Sequence, residues 1–371
     1  MKKFKPGEFV NPSTLEGFTP PPREWFVEGL IPHKTVTLLS GDGGLGKSLL
    51  ALQLLTSAVT GKPWLGMKTM KCNSFGLFCE DSDEELWRRL HSITNAYGVS
   101  MLDCDPLYWL SGIGCDPVLM NFAGSDHGSL TDFFDKINNR LKEGHFPELI
   151  VIDTASDVFA GDENKRIHTR NFINRCLNKL AQDMEATVIL TSHPSRAGML
   201  DGSGISGSTA WNNSVRSRLY LTRPQDDKNK KSNRRILQVM KSNYGSTEHE
   251  LEIEWRNGVF TPIQNTIGQN PHDREINDEA AYLFALAKLH QRGLRALVQK
   301  NQPNYGPSLM KTMQEAKGIS KARLEEAQDR LMNKEVIANV EDSEGPKSRR
   351  KWQIQIINSD TANEIMNPKL F

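Results

Sequence analysis

The chain has 371 residues, of which 37% are hydrophobic and 25% charged, and its formal net charge is +1. It shows no apolar run long enough to cross a bilayer and no secretory signal, and its five scattered cysteines are typical of free thiols in a reducing compartment. These features exclude a membrane protein or a disulfide-stapled one. They predict a cytoplasmic chain of two domains, or of one large domain with an appendage, in which any basic surface is local.

A glycine-rich segment near the N-terminus carries the strongest signal. Residues 1–30 are proline-rich and predict an extended arm. Residues 35–40 predict a β-strand, residues 41–48 fit the pattern G-x-x-x-x-G-K-[ST], and an apolar helix then runs to Gly61. A strand, a turn of this pattern and a helix form the loop that wraps nucleotide phosphates, with the positive end of the helix facing them.

Each position of this phosphate loop has a chemical role. Its glycines let successive N–H groups point inward at phosphate oxygens. Lys47 reaches the β- and γ-phosphates, and the Ser48 hydroxyl completes the shell of a Mg²⁺ ion. The predicted nucleotide-binding residues are Gly41, Gly43, Gly44, Leu45, Gly46, Lys47, Ser48 and Leu49. The sequence therefore predicts binding of ATP with Mg²⁺, although no residue that would recognise the base stands out.

Strands and helices alternate after the phosphate loop. Strands are predicted at 74–79, 107–110, 149–153, 186–191 and 217–222, and helices at 82–97, 130–142, 169–184 and 208–215. The runs at 149–153 and 186–191 are apolar throughout, as central parallel strands are. Strands at 236–240, 251–255 and 258–260 are expected to finish the sheet with antiparallel pairs. This order predicts an α/β fold with a central, mainly parallel, twisted sheet in a domain of residues 31–263.

Three acidic residues follow the ends of predicted strands. Asp153 emerges at the C-terminal edge of the sheet, where ligands of open α/β folds bind, and we predict that it holds Mg²⁺ opposite Ser48. Thr154 comes next, so the base that activates water must lie elsewhere. Glu80, after the strand that follows the phosphate-loop helix, is the candidate, with Asp81 as its rival.

The last hundred residues have a different pattern. A polar linker is predicted at 264–276, a second domain at 277–358 and a tail at 359–371. Three helices near 278–290, 307–316 and 321–333 precede a hairpin of strands at 336–340 and 352–356, which is the order of a small winged-helix domain. The third helix carries both basic and acidic residues, and the hairpin tip carries basic ones. DNA binding and protein binding by this domain both remain open. The basic residues are Lys321, Arg323, Arg330, Lys347, Arg349, Arg350 and Lys351.

The order of the motifs resembles that of the RecA-like P-loop ATPases. It more narrowly resembles the plasmid and phage RepA-type hexameric replicative helicases, relatives of the DnaB core, over about residues 20–260. The segments that carry the resemblance are the phosphate loop, Glu80, Asp153, 191–195, 207–211 and 241–245. The resemblance implies that Glu80 is the catalytic base and that His193 senses the γ-phosphate and couples it to a DNA-binding loop.

The resemblance also implies a site shared between subunits. Arg216 is expected to reach the neighbouring subunit's site as an arginine finger, with Lys241 assisting. Residues 241–243 lack the arginine of the Lys-x-Arg pattern found in the DnaB group, so Arg216, or failing that Arg218, must supply the finger. The alternative for these arginines is ordinary surface charge on an edge strand. The active form is thus expected to be a homo-oligomer, a hexamer by resemblance.

Two loops, 161–169 and 194–207, are expected to leave the sheet on the nucleotide side and contact single-stranded DNA. The alternative is that both are ordinary flexible loops. The predicted DNA-binding residues are Lys165, Arg166, Arg170, Ser195 and Arg196. The expected function is a DNA-stimulated helicase or translocase working with a separate primase or initiator, and duplex origin DNA is a candidate ligand of the C-terminal domain. A DNA-bound regulator or helicase loader, and a signalling or defence ATPase, are the alternatives.

Overall fold

The computed structural model describes residues 9–144, 146–194, 209–224, 232–247, 249–263, 271–316, 319–341 and 352–366. The chain divides into two compact units, Met1–Thr247 with Trp255–Phe260 and Glu248–Glu254 with Thr261–Phe371. In the described ranges, no helix is long and apolar enough to span a membrane.

The first unit is a mixed α/β structure. Its strands are β1 (Trp25–Val27), β2 (Ile31–Pro32), β3 (Val36–Gly41), β4 (Ser74–Phe78), β5 (Leu107–Ser111), β6 (Met120–Asn121), β7 (Ser129–Leu130), β8 (Leu149–Asp153), β9 (Phe159–Ala160), β10 (Thr187–Ser192), β11 (Ser217–Thr222) and β12 (Arg234–Ser242). Strands β13 (Glu250–Arg256) and β14 (Val259–Pro262) hold residues of both units. The helices are α1 (Lys47–Thr60), α2 (Asp83–Tyr97), α3 (Asp132–Lys142), α4 (Ala155–Val158), α5 (Arg166–Asn171), α6 (Asn178–Asp183) and α7 (Thr209–Ser214).

The central sheet of this unit runs in the order β12-β11-β3-β10-β8-β4-β5. Every neighbouring pair from β11 to β5 is parallel, and β12 is antiparallel to β11. Strands β3, β4, β8 and β10 are buried along their whole length, as their apolar sequences predict. The predicted fold, a RecA-like α/β core with a mainly parallel sheet, is confirmed.

Several local features differ from the sequence prediction. The small sheet β7-β6-β9 lies where only a loop was expected, because its strands have two residues each and give no periodic signal. The helix predicted at 169–184 starts at Arg166 and contains a π-helical turn at Phe172–Leu177. In the arm, Trp25–Val27 pairs with Ile31–Pro32, and Phe26 and Leu30 are buried.

The second unit contains three helices followed by two strands. The helices are α8 (Pro271–Gln291), α9 (Gly306–Met310) and α10 (Lys321–Asn333), and a further helix, α11 (Ser359–Met366), lies in the predicted tail. Strands β15 (Ile337–Glu341) and β16 (Trp352–Ile356) pair antiparallel, as predicted. Residues 271–276 of the predicted linker are helical, and residues 264–270 lie outside the described part. The core of this unit includes Tyr282, Leu286, Leu324, Leu331 and Ile354.

Candidate functional site

The phosphate loop joins β3 to α1 and needs glycine at particular positions. Gly46 has a φ of 96°, and a Cβ atom there would lie 2.7 Å from the ring of Phe260. Gly44 has a φ of 70°. A Cβ atom on Gly41 would lie 2.7 Å from the carbonyl oxygen of Leu221 on the neighbouring strand β11. Backbone conformation at Gly44 and Gly46, and close approach at Gly41 and Gly46, therefore exclude larger residues from these three positions.

Lys47 is held at the start of α1 with its ammonium group inside the loop. Its Nζ donates to the carbonyl oxygens of Gly41 at 2.8 Å and of Asp42 at 3.2 Å. Burial lowers the pKa of Lys47, while the negative charges of Asp153, Glu80 and Asp42 oppose that shift. A buried cation with carboxylates beside it is suited to exchange these carbonyl contacts for phosphate oxygens.

Asp153 presents a carboxylate oxygen that is suited to a metal ion. Its Oδ1 accepts a short hydrogen bond from the Thr191 hydroxyl. Its Oδ2 is buried and has no hydrogen-bond partner among the described residues. Asp153 and Ser48 line the same cavity. Hard oxygen ligands of this kind suit Mg²⁺, which keeps waters and uses substrate phosphates as further ligands. The residues present therefore fit the predicted metal.

The structure separates the two rival bases. Both Glu80 and Asp81 line the cavity. Arg89 of α2 binds Asp81 with two hydrogen bonds of 2.5 and 2.9 Å and also contacts Glu85 at 2.9 Å. Asp81 is thus committed to a bidentate ion pair. Burial raises the pKa of both carboxyl groups, so the ion pair between Asp81 and Arg89 is what distinguishes them. Glu80 is the better placed base.

His193 follows β10 and faces the phosphate loop. Its Nδ1 lies 3.3 Å from the Nζ of Lys47, and its side chain lines the cavity. The parallel strands thus bring Lys47, Glu80, Asp153 and His193 together around a space of about 450 Å³. These four residues are spread over positions 47–193 of the sequence, and their convergence follows from the strand order.

The cavity also contains residues that the sequence did not identify. Asn233, Arg235, Trp255 and Phe260 complete its wall. Arg235 is buried, and its Nε donates to the carbonyl oxygen of Leu45 at 3.3 Å. Trp255 is 42% exposed and offers an aromatic surface next to the loop. The Asn-Gly dipeptide at 257–258 signals a hairpin turn, but no local pattern shows that this hairpin returns to the phosphate loop.

The proposed finger residues lie outside this cavity. Arg216 is exposed, just before β11. Arg218 is buried within β11, and β11 lies between β3 and β12, so the alternative of surface charge on an edge strand does not hold for Arg218. The Nζ of Lys241 donates to the carbonyl oxygens of Asn212 and Val215, both at 2.8 Å, and so caps the C-terminal end of α7.

The first predicted DNA loop is fixed to the rest of the domain. The buried ring of His168 stacks on Phe122 at 4.3 Å, and its Nε2 lies 2.8 Å from Asp126. Lys165 contacts the same aspartate at 3.3 Å, while Arg166 and Arg170 are exposed on α5. The description of 161–169 as an ordinary flexible loop does not fit these contacts. Ser195 and Arg196 lie outside the described residues.

The basic residues of the third helix in the second unit form internal contacts. Arg323 is buried and pairs with Asp278, donating through Nε at 2.8 Å. Arg330 donates to Glu279 at 3.0 Å. Lys321 lies over the ring of Tyr305 at 5.1 Å. Each of these three cations thus contacts another residue of the same unit. The basic residues of the hairpin tip, at 347 and 349–351, lie outside the described part.

A known protein family matches this sequence. The sequence matches the family AAA_25, described as AAA domain, over residues 4–199, which is more than half of its 371 residues. No curated protein matches the chain. The matched range contains the phosphate loop, Glu80, Asp153 and His193.

Proposed function

The chain belongs to the AAA domain family and is a P-loop ATPase with a RecA-like core, and from this premise we propose that it is a DNA-stimulated, hexameric helicase or translocase. The proposal places it in a plasmid- or phage-type replication system. The observation that carries the proposal is a cavity beside the phosphate loop that Glu80 and Asp153 also line. Each lining arginine among the described residues has partners within its own chain.

The residues of the cavity divide the chemistry of hydrolysis among them. The N–H groups of the phosphate loop and the Lys47 ammonium bind the β- and γ-phosphates. Ser48 and Asp153 would hold Mg²⁺, which would neutralise charge on the phosphates. Glu80 orients a water molecule and accepts its proton as it attacks the γ-phosphate. His193, beside Lys47, is close enough to respond to the loss of that phosphate.

Each arginine that lines the cavity in the described part of the chain already has partners in this chain. Among the described residues, two arginines line the cavity. Arg89 is paired with Asp81, and Arg235 donates to main-chain carbonyls of Leu45, Ser232 and Arg234. An arginine that neutralises the transition state can contribute about 10³–10⁵ in rate. A neighbouring subunit that supplies Arg216 accounts for its exposed position outside the cavity, and this argument supports the oligomer.

A link between nucleotide and DNA is supported by the electrostatics of the 161–169 loop. Glu163 of this loop is close enough to His193 for the charges of the two side chains to interact. His193 lines the nucleotide cavity, and the same loop carries Lys165 and Arg166.

A helicase loader that does not unwind DNA is the second candidate. The observation that favours it is the internal pairing of Arg323 and Arg330, which leaves α10 better suited to a protein partner than to duplex phosphates. In that case the primase or initiator that we expect as a partner would be replaced by the helicase that is loaded.

Strand separation distinguishes these candidates. ATP hydrolysis is measured with and without single-stranded DNA, and unwinding is followed on a forked duplex with a fluorophore and quencher. Stimulation by DNA together with ATP-dependent strand separation supports the helicase, and Lys47→Ala should abolish both. ATP turnover that is indifferent to DNA, without strand separation, would rule out the helicase.

A further inference from the structure

A second concave surface lies at the end of the sheet, on the side away from β12. It is lined by Phe75, Tyr108, Leu110, Phe133 and Ile137 and has a volume of about 510 Å³. We call this surface, formed between β5 and α3, the β5 groove. Tyr108 is 39% exposed and Leu110 is 37% exposed, although both have large hydrophobic side chains. None of these residues lines the nucleotide cavity.

The main chain beside the groove has hydrogen-bonding groups without a main-chain partner among the described residues. Strand β5 is an edge strand of the sheet, and it pairs with β4. The carbonyl oxygen of Pro106 accepts from Ser74, and the N–H of Gly112 donates to Phe78. Since main-chain groups alternate along a strand, the N–H and C=O of Leu107 and Trp109 must point away from β4. An edge of this kind is a template for an added strand.

The groove carries a positive charge. Its two charged lining residues are Lys136 and Arg140, both exposed and four residues apart on α3. Lys142 on the same helix is held by Asp183 at 3.0 Å. Within the described residues, neither Lys136 nor Arg140 has such an ion pair. The charge therefore selects an acidic ligand and disfavours a basic one, such as the chain's own N-terminal segment with Lys2, Lys3 and Lys5.

We propose that the β5 groove binds an extended, acidic segment of a partner protein. The segment adds a strand beyond β5 and pairs with the outward N–H and C=O of Leu107 and Trp109. Alternate side chains of an added strand point to one face, so an apolar residue enters between Tyr108 and Ile137. Acidic residues on either side of it meet Lys136 and Arg140. Apolar walls and an open strand edge favour a polypeptide over a nucleic acid.

A display library of random twelve-residue peptides tests the proposal on the full-length chain. The peptides that are selected are synthesised with a dye, and their affinity is measured by fluorescence anisotropy. The account predicts peptides that alternate apolar and acidic residues. Reversal of both charges, with Lys136→Glu and Arg140→Glu, should weaken their binding about tenfold or more. Leu110→Asp should also weaken it. The control variant Lys68→Glu with Arg292→Glu reverses two exposed charges elsewhere and should bind as the wild type does.

Five outcomes would overturn the proposal. Two concern the selection, which yields no binding peptide or yields peptides without acidic residues. In the third, the selected peptides bind the wild-type chain and the charge-reversed variant equally. Displacement of the peptides by a single-stranded oligonucleotide at similar concentration would make the groove a nucleic-acid surface. A smaller mass by light scattering for the charge-reversed chain alone would make the occupant a second copy of this chain.

Discussion

Gln53 connects α1 to the hairpin that completes the nucleotide cavity. Its side chain is fully buried, its Nε2 donates to the carbonyl oxygen of Phe260 at 3.0 Å, and its Oε1 accepts from the N–H of Phe260 at 2.8 Å. Gln53→Leu keeps the size of the side chain but leaves two buried main-chain groups without partners. Each such group costs about 1–3 kcal/mol, so we expect a loss of about 2–4 kcal/mol after the gain from burying leucine.

Binding should weaken together with stability. The ring of Phe260 lies against Gly46, so a hairpin released from Gln53 no longer supports the phosphate loop. The free energy of unfolding is measured by denaturant titration, and affinity is measured with a fluorescent ATP analogue. Thr56→Val is the matched control, because its buried hydroxyl bonds to Leu52 within the same helix and its loss should cost less than about 1 kcal/mol. Equal effects of the two substitutions would refute the reasoning.

Three further predictions concern the loop, the base and the second unit. Gly46→Ala should abolish nucleotide binding and cost about 1–2 kcal/mol, because its φ is left-handed. A Cβ atom on Gly43 would have no neighbouring atom within 4 Å, so Gly43→Ala should keep both nucleotide binding and stability in binding and unfolding assays. Glu80→Gln should lower kcat by about 10²–10⁴ with binding retained, whereas Asp81→Asn should lower it far less. Because the pKa of Glu80 is raised and the base must be deprotonated, wild-type turnover should fall on acidification at a higher pH than for an ordinary glutamate. Arg323→Met should cost about 3–5 kcal/mol by denaturant titration of the full chain, since it leaves a buried carboxylate unpaired.

Much of the core could be predicted from the sequence because its signals are local. The phosphate loop is a contiguous pattern, and strands such as β8 and β10 are apolar along their whole length. Ser82 and Gly61 were predicted as helix ends, and the structure shows Ser82 accepting from Glu85 and Gly61 with a φ of 72°. In each case neighbouring residues determine the geometry, so no tertiary contact was needed.

The remainder depends on contacts between distant residues. Sequence alone left Glu80 and Asp81 as rivals, and the pair between Arg89 and Asp81 separates them. Trp255 reaches the cavity only because its hairpin folds back on the phosphate loop. The same limit applies to Arg323, which had the sequence features of a DNA contact but is buried against an aspartate. A basic residue in a helix does not reveal whether a carboxylate lies opposite it.

Mixing two inactive variants tests the shared site most directly. Lys47→Ala removes the phosphate-binding cation, and Arg216→Ala removes the proposed finger, so each should hydrolyse no ATP alone while still assembling. In a random one-to-one ring, a site with both groups intact arises for about one interface in four, so about a quarter of wild-type turnover should return. Mixing either variant with Lys68→Ala provides the control for dilution. Full turnover by Arg216→Ala alone, or no recovery on mixing variants that do assemble, would contradict the account.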